Sequence, residues 1–198
     1  MFGDIMKKYR TIIVDPPWDH SDGTGVGFSG GRKVTLPPYK MMTLQGIKKL
    51  PVKKLAEADC WHVNGNRGGS NIFLWTTTRY LYDAHDVMRG WGFKPTTILV
   101  WCKPARGFGM GGTFKSNVEF VVVGRRGSPP RATGSSDTRW FTWQRGKHSA
   151  KPEDFYDLVE SVSCGPYLEL FARRKREGWD AFGDEIESDI NLFGGKHF

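Results

Sequence analysis

The stretch Asp15-Pro16-Pro17-Trp18 sets an acid, two prolines and an indole directly behind an apolar run, Thr11-Ile12-Ile13-Val14. The run is short and β-branched, which suits a strand buried on both faces, and Asp15 stands where that strand ends. A residue before proline is pushed out of the α region, so Asp15 and Pro16 are expected to be extended, with carboxylate and carbonyl free of ladder partners. An exocyclic base amine is a poor nucleophile because its lone pair is delocalised into the ring. Two acceptors fixed on its N–H groups draw the nitrogen towards a tetrahedral geometry and free that lone pair for attack. The Asp15 carboxylate and the Pro16 carbonyl are candidates for those acceptors. Trp18 is a candidate stacking face for a base removed from its helix, a contact worth about 1–3 kcal/mol. An acid, a locked carbonyl and an aromatic ring are what methyl transfer to such an amine requires; a plain strand-ending turn is the competing reading.

Strands and helices must hold that turn in place. Residues 19–38 carry Gly, Ser and Asp without periodicity and read as a long loop hanging from it. Thr43 is a candidate N-cap for a short helix that Pro51 interrupts. A polar insertion spans 59–70, followed by a strand over 71–75. The next helix places Leu81, Ala84, Met88 and Trp91 on one stripe and ends at Gly92. Further strands are expected over 96–102, 117–124 and 167–173. Between the last two lie a basic Pro/Gly/Ser loop at 125–138 and a helix with Pro152 at its first position and Phe155, Leu158, Val159 and Val162 on one face. Strands alternating with helices argue for an α/β fold around a mostly parallel sheet with ligands at the carboxyl ends of strands, and Asp15 lies at one such end. The run Gly107-Phe108-Gly109-Met110-Gly111-Gly112 fits a dinucleotide fingerprint by letter, but a strand follows it where that fingerprint needs a helix.

Composition narrows the class. The 198 residues suit one domain over 1–198. Lys and Arg outnumber Asp and Glu by 29 to 21, for a net charge of +8 that favours a polyanionic partner, nucleic acid first. Cys60, Cys102 and Cys164 stand apart without metal-ligand spacing, so no metal is expected and the compartment is read as reducing. No apolar run approaches a membrane span and the N-terminus lacks a signal-peptide core, which reads as a cytoplasmic protein.

The ordered set DPPW, YKMMTL, NIFLWTTTRYLYDAHDVMRGWGF, ILVWCKP, NVEFVVVGRRG, HSAKPEDFYDLVE and YLELFARR, spanning residues 9–185, resembles the MT-A70 family of S-adenosylmethionine-dependent N6-adenine methyltransferases. The resemblance implies a Rossmann-like class I methyltransferase fold, with helices on both faces of the sheet and the catalytic motif N-terminal to the cofactor motif. It implies that Asp15, Pro16, Pro17 and Trp18 form the catalytic turn, with Asp15 between substrate amine and cofactor. Trp18, Tyr39 and Glu119 would meet the target base, Tyr39 from a covering loop. Lys151 would pair with the carboxylate of the cofactor's methionine part, beside the start of a helix. Glu169, Phe171 and Arg173 match the cofactor segment. Asp184 and Glu185 stand where the family often carries amides. The upstream segment that contacts the cofactor's adenine in longer members is nearly absent, which leaves open whether Phe2 to Ile5 take its place, and the 59–70 insertion has no counterpart.

Bland readings stand beside these: Lys151 as a solvated helix-start lysine, Glu169 as an interior acid paired with an arginine, His62 and His148 as loop residues, and Arg173-Arg174-Lys175-Arg176 as a solvated face. On the functional reading, adenine N6 attacks the sulfonium methyl directly. Lys48, Lys49, Lys53, Lys54, Arg125, Arg126 and Arg131 would track phosphates, and a duplex substrate would have its adenine flipped. DNA is favoured over RNA, because a compact domain without an RNA-binding appendage resembles the small prokaryotic and phage members. The alternatives are a non-catalytic nucleic-acid-binding subunit and a cytosine N4 methyltransferase, whose related motif more often begins with serine and ends with tyrosine. A homodimer or a heterodimer with a partner chain is left open.

Overall fold

The computed structural model describes residues 7–19, 27–29, 32–34, 40–57, 68–103, 117–144 and 150–192. Strand β1 (Thr11–Val14) is fully buried and lies in the interior of a seven-stranded sheet. Its neighbours, β4 (Gly69–Thr76) and β8 (Tyr167–Leu170), both run parallel to it, with Val14 opposite Leu74 and Leu170. Beyond β8 lies β9 (Trp179–Phe182), also parallel. On the other side come β6 (Val118–Gly127), β5 (Lys94–Cys102) and the two-residue edge strand β7 (Trp140–Phe141), so the order is β7-β5-β6-β4-β1-β8-β9. Only β6 runs against its neighbours. The expected mostly parallel sheet is observed. The reversal of β6 brings its first residues, rather than its last, to the carboxyl edge of the others.

Alternation along the central strands builds two cores. Ile12 and Val14 of β1, with Ile72 and Leu74 of β4, face α3 (Leu81–Gly90), which contributes Ala84, Val87 and Met88. The short helices α1 (Leu44–Lys48) and α2 (Val52–Leu55) add Ile47, Val52 and Leu55 to that side. Ile13, Phe73 and Trp75 face the other way and meet Phe155, Tyr156 and Val159 of α4 (Glu153–Val162). Helices therefore cover both faces. Fully burying residues of this size contributes about 1.5–3 kcal/mol each, and Trp75 and Phe155 are among the largest of them.

Local signals act as expected at several ends. The Thr43 hydroxyl accepts from Gly46 N at 3.1 Å, capping α1. After α3, Gly92 takes φ +82; its N–H donates to Arg89 O at 2.9 Å and that of Phe93 to Met88 O at 3.1 Å, a glycine-terminated C-cap. Other expectations need correction. Pro152 precedes α4 as its N-cap instead of filling the first turn, and Tyr156 rather than Leu158 joins the buried face. Part of the expected loop at 19–38 is a hairpin of β2 (Gly27–Ser29) and β3 (Arg32–Val34). Arg125 and Arg126 extend β6 instead of opening a loop, because they keep pairing with Asn71 and Ser70. The 59–70 insertion ends early, since Gly69 and Ser70 already belong to β4, and 167–173 stops as a strand at Leu170. No described helix is long and apolar enough to cross a membrane.

Candidate active site

At the carboxyl edge of the sheet, the ends of β1, β4, β8 and β9 and the start of β6 surround a cavity lined by Asp15, Pro16, Pro17, Trp18, Lys40, Thr76, Thr77, Glu119, Lys151, Phe171, Ala172, Arg173, Asp184 and Glu185. Because β1 lies between β4 and β8, Asp15 divides this cavity. One half is walled by Thr76, Thr77 and Glu119, the other by the segments after β8 and β9.

Asp15 hangs from the end of β1, its N–H donating to Leu170 O at 3.3 Å. Its carboxylate meets the Lys151 ammonium at 3.1 Å, and the same ammonium meets Glu119 at 3.0 Å and stands 4.7 Å from the centre of the Trp75 ring. Lys103, at the end of β5, takes the other Glu119 oxygen and lies over Trp101. Burial would pull the Lys151 pKa down, but Asp15 and Glu119 outweigh it and hold the ammonium above its ordinary value. Burial raises Asp15, Lys151 opposes it and Glu119 adds to it, leaving the carboxyl above the usual range. Burial also acts on Glu119, yet Lys151 and Lys103 together hold it below. Two carboxyls sharing one ammonium thus have their pKa values pushed apart.

The turn itself departs from expectation in two ways. The Pro16 carbonyl is not free: it accepts the Trp18 N–H at 2.8 Å, because two prolines in succession fold the chain back on itself. A carbonyl has a second lone pair, so one acceptor position is left. Trp18 is not an open stacking face. It is 4% exposed, stacked on Tyr80 at 5.0 Å, and its indole N–H donates to Trp75 O at 3.0 Å. Burying so large a ring with its N–H satisfied makes it a strut beneath the turn. Met42, pairing beside Trp18, donates to the Pro17 carbonyl at 2.8 Å.

In the other half Phe171 ends β8 with φ +65, a left-handed conformation uncommon for a bulky residue. Ala172 N then donates to Phe182 O at 2.9 Å, and Gly183 lies so close that a Cβ there would sit 1.9 Å from Ala172 O. Arg173 reaches Glu185 at 3.8 Å. Glu169 does not line the cavity. It faces α4, 6% exposed, and accepts from the Tyr156 hydroxyl at 2.8 Å, a tyrosine rather than the arginine considered above. Burial pushes its pKa up to about 7, against the Tyr156 hydrogen bond and with help from Asp15.

Ten of the candidate site residues therefore meet in one cavity, Asp15, Pro16, Pro17, Trp18, Glu119, Lys151, Phe171, Arg173, Asp184 and Glu185. Tyr39, His62, His148, Phe2 to Ile5 and the glycine run 107–112 lie outside the described residues. Lys151 is a largely covered bridge between two carboxylates, its side chain 12% exposed, not a solvated helix-start lysine. Arg176 is not solvated either: it binds Glu153 at 2.6 Å, Asp157 at 2.8 Å and Glu160 at 3.0 Å, tying the segment after β8 to α4. Lys40, Lys103, Thr76, Thr77 and Tyr156 were not singled out from the sequence. Lys103 had a signal, a lone cation directly after a strand. The basic residues expected to track phosphates are largely elsewhere. Arg125 and Arg126 pair with the start of β4, Arg126 donates to Lys53 O at 2.9 Å, α2 ends beside Tyr9, and Arg131 bridges to Ser163 next to Thr11. Lys53, Lys54, Arg125, Arg126 and Arg131 thus crowd the amino edge, opposite the cavity.

A family model described as MT-A70 matches residues 9–185. The chain is 29% identical over 195 residues to the type II methyltransferase M.MunI of a Mycoplasma species, covering 91% of this chain and 78% of that protein. It is 27% identical to the N(6)-adenine-specific methyltransferase METTL4 of Mus musculus and 22% identical to the N(6)-adenosine-methyltransferase catalytic subunit METTL3 of Homo sapiens. These alignments cover 91% and 92% of this chain but 38% and 29% of those longer proteins.

Proposed function

This chain belongs to the MT-A70 family, and from that premise we propose that it is a single-domain enzyme that transfers a methyl group from S-adenosylmethionine to the N6 amine of adenine, with DNA as its polymer. The observation that carries the reading is Asp15 at the divide of the cavity, bound to the largely covered Lys151 and bordered by Glu119. DNA is favoured because the chain covers 78% of the length of the small type II methyltransferase M.MunI but 29% of the longer N(6)-adenosine-methyltransferase METTL3, in line with a compact member that carries no RNA-binding appendage in the matched region.

The residues fit the cofactor. Asp184 and Glu185 offer acceptors for a ribose diol, and Arg173 and Phe171 complete that half. Lys151 gives two of its three N–H bonds to Asp15 and Glu119, and the third is a donor for a carboxylate. Bound there, the cofactor supplies an electrophilic sulfonium methyl. Asp15 and the second lone pair of the Pro16 carbonyl accept the two N–H groups of the base amine and turn its lone pair outward. Lys151 counters the burial that would protonate Asp15 and so keeps an acceptor available. The surplus proton on the methylated nitrogen passes to water, so Asp15 orients and polarises without acting as a strong base.

The test is methyl transfer from labelled S-adenosylmethionine to single- and double-stranded DNA and RNA oligonucleotides, with products identified by mass. The wild type is expected to form N6-methyldeoxyadenosine, and Asp15→Ala to lose about a hundredfold or more of that rate. Label in cytosine, or in RNA alone, would replace the base or the polymer; binding without transfer would point to a partner-dependent or non-catalytic subunit.

A further inference from the structure

Thr77 stands at the end of β4 in the N-cap position of a 3-10 turn over Thr78–Tyr80. A threonine in that position ordinarily turns its hydroxyl onto a backbone N–H of the first turn. This one makes no cap bond. Its Oγ1 is buried and, among the described residues, has no hydrogen-bond partner, while the residue lines the cavity beside Thr76 and Glu119. Buried hydroxyls are seldom left unpaired, and each one that is calls for an explanation. With no hydrogen bond to lose, the hydroxyl can turn about χ1 into the cavity that the residue lines and meet a ligand there.

Thr77 lies on the β4–β6 side of Asp15, away from Phe171, Arg173 and Glu185 across the divide. We propose that the Thr77 hydroxyl is a specificity contact for the substrate base, donating to N1 or N7 of the adenine, the two ring nitrogens that flank the amine Asp15 holds. This rests on the methyl-transfer reading and extends it: the amine contacts alone do not distinguish one amino-bearing base from another, whereas a donor aimed at a ring nitrogen fixes how the base must lie.

Thr77→Val and Thr77→Ser separate the roles. Oligodeoxyadenylate makes every base a target whatever the recognition sequence, and the same oligomer built from 7-deazaadenine or from 1-deazaadenine removes one ring nitrogen at a time. Thr77→Val is expected to lose about tenfold in kcat/KM on oligodeoxyadenylate, with Thr77→Ser near wild type. On one of the two analogues, the one lacking the contacted nitrogen, Thr77→Val and wild type should agree within about twofold. The valine variant should unfold at or above the wild-type temperature, because it removes an unpaired buried polar atom and no cap. Wild-type efficiency for Thr77→Val, an equal loss on both analogues, or weakened binding of S-adenosylmethionine alone would each overturn the proposal. Equilibrium binding of the labelled oligomers is measured in parallel with S-adenosylhomocysteine present. If the wild type forms no methyladenine, the functional reading fails by itself, and the same ratio of affinities still decides for or against Thr77.

Discussion

Glu169 lies on β8 under the cavity, with the Tyr156 hydroxyl as a hydrogen-bond donor and a pKa pushed up to about 7. Its ordinary value is 4.5, so between these two values the folded chain binds the proton more tightly than the unfolded one. The stability this contributes is full below the lower value and is lost as pH rises through about 7, a change of roughly 3 kcal/mol. Glu169→Gln keeps the neutral shape and should flatten that slope: denaturation midpoints of variant and wild type should converge near pH 5 and separate in favour of the variant near pH 8. Parallel curves would show that Glu169 is ionised throughout. Asp15 was legible in the sequence because it sits where an apolar run meets two prolines, whereas Glu119 and Lys151 came with the family resemblance. The partner of Glu169 was not, since Tyr156 lies one position off the stripe that the aliphatic residues mark.

At the level of elements, β1, β4 and β8 were readable because their burial on both faces writes continuous apolar runs. β9 was not, because Trp-Asp-Ala-Phe is four residues long and alternates. The direction of β6 could not be read at all: apolar composition marks burial, and only the pairing reveals that this strand is reversed. Yet that reversal delivers Glu119 to the cavity. The C-cap of α3 is the most local of these features. Gly92 holds φ +82 on the far side of α3 from the site's chemistry, so Gly92→Ala should cost about 1 kcal/mol in chemical denaturation and leave the methyl-transfer rate unchanged. A fall in rate as large as the fall in stability would tie the end of α3 to the site.

Across the whole molecule, charge and cavity sit at opposite edges of the sheet. Arg125 and Arg126 pair with Asn71 and Ser70 level with the start of β1, so at about 3.3 Å per residue they stand about 13 Å or more along the strands from Asp15, with Lys53 and Lys54 beside them. Changing these four to Gln should leave both the rate and the salt dependence of binding unaltered for a short oligonucleotide, and reduce the salt slope only for a long one. A reduced slope on the short substrate would mean that the chain of phosphates reaches the amino edge after all. The net charge marked a polyanion as the class of partner to test, but no composition can say on which edge the cations fall.

The contact between Gly183 and the Ala172 carbonyl bears on how the cavity can change shape. Two segments touching backbone to backbone, with Ala172 also hydrogen-bonded to Phe182, have no room to slide and behave as one jaw. Any widening must come from the opposing jaw, where Lys40 lies outside the sheet. The fixed jaw then serves as a gauge for whatever is common to every turnover, and the adjustable one as the grip on what differs.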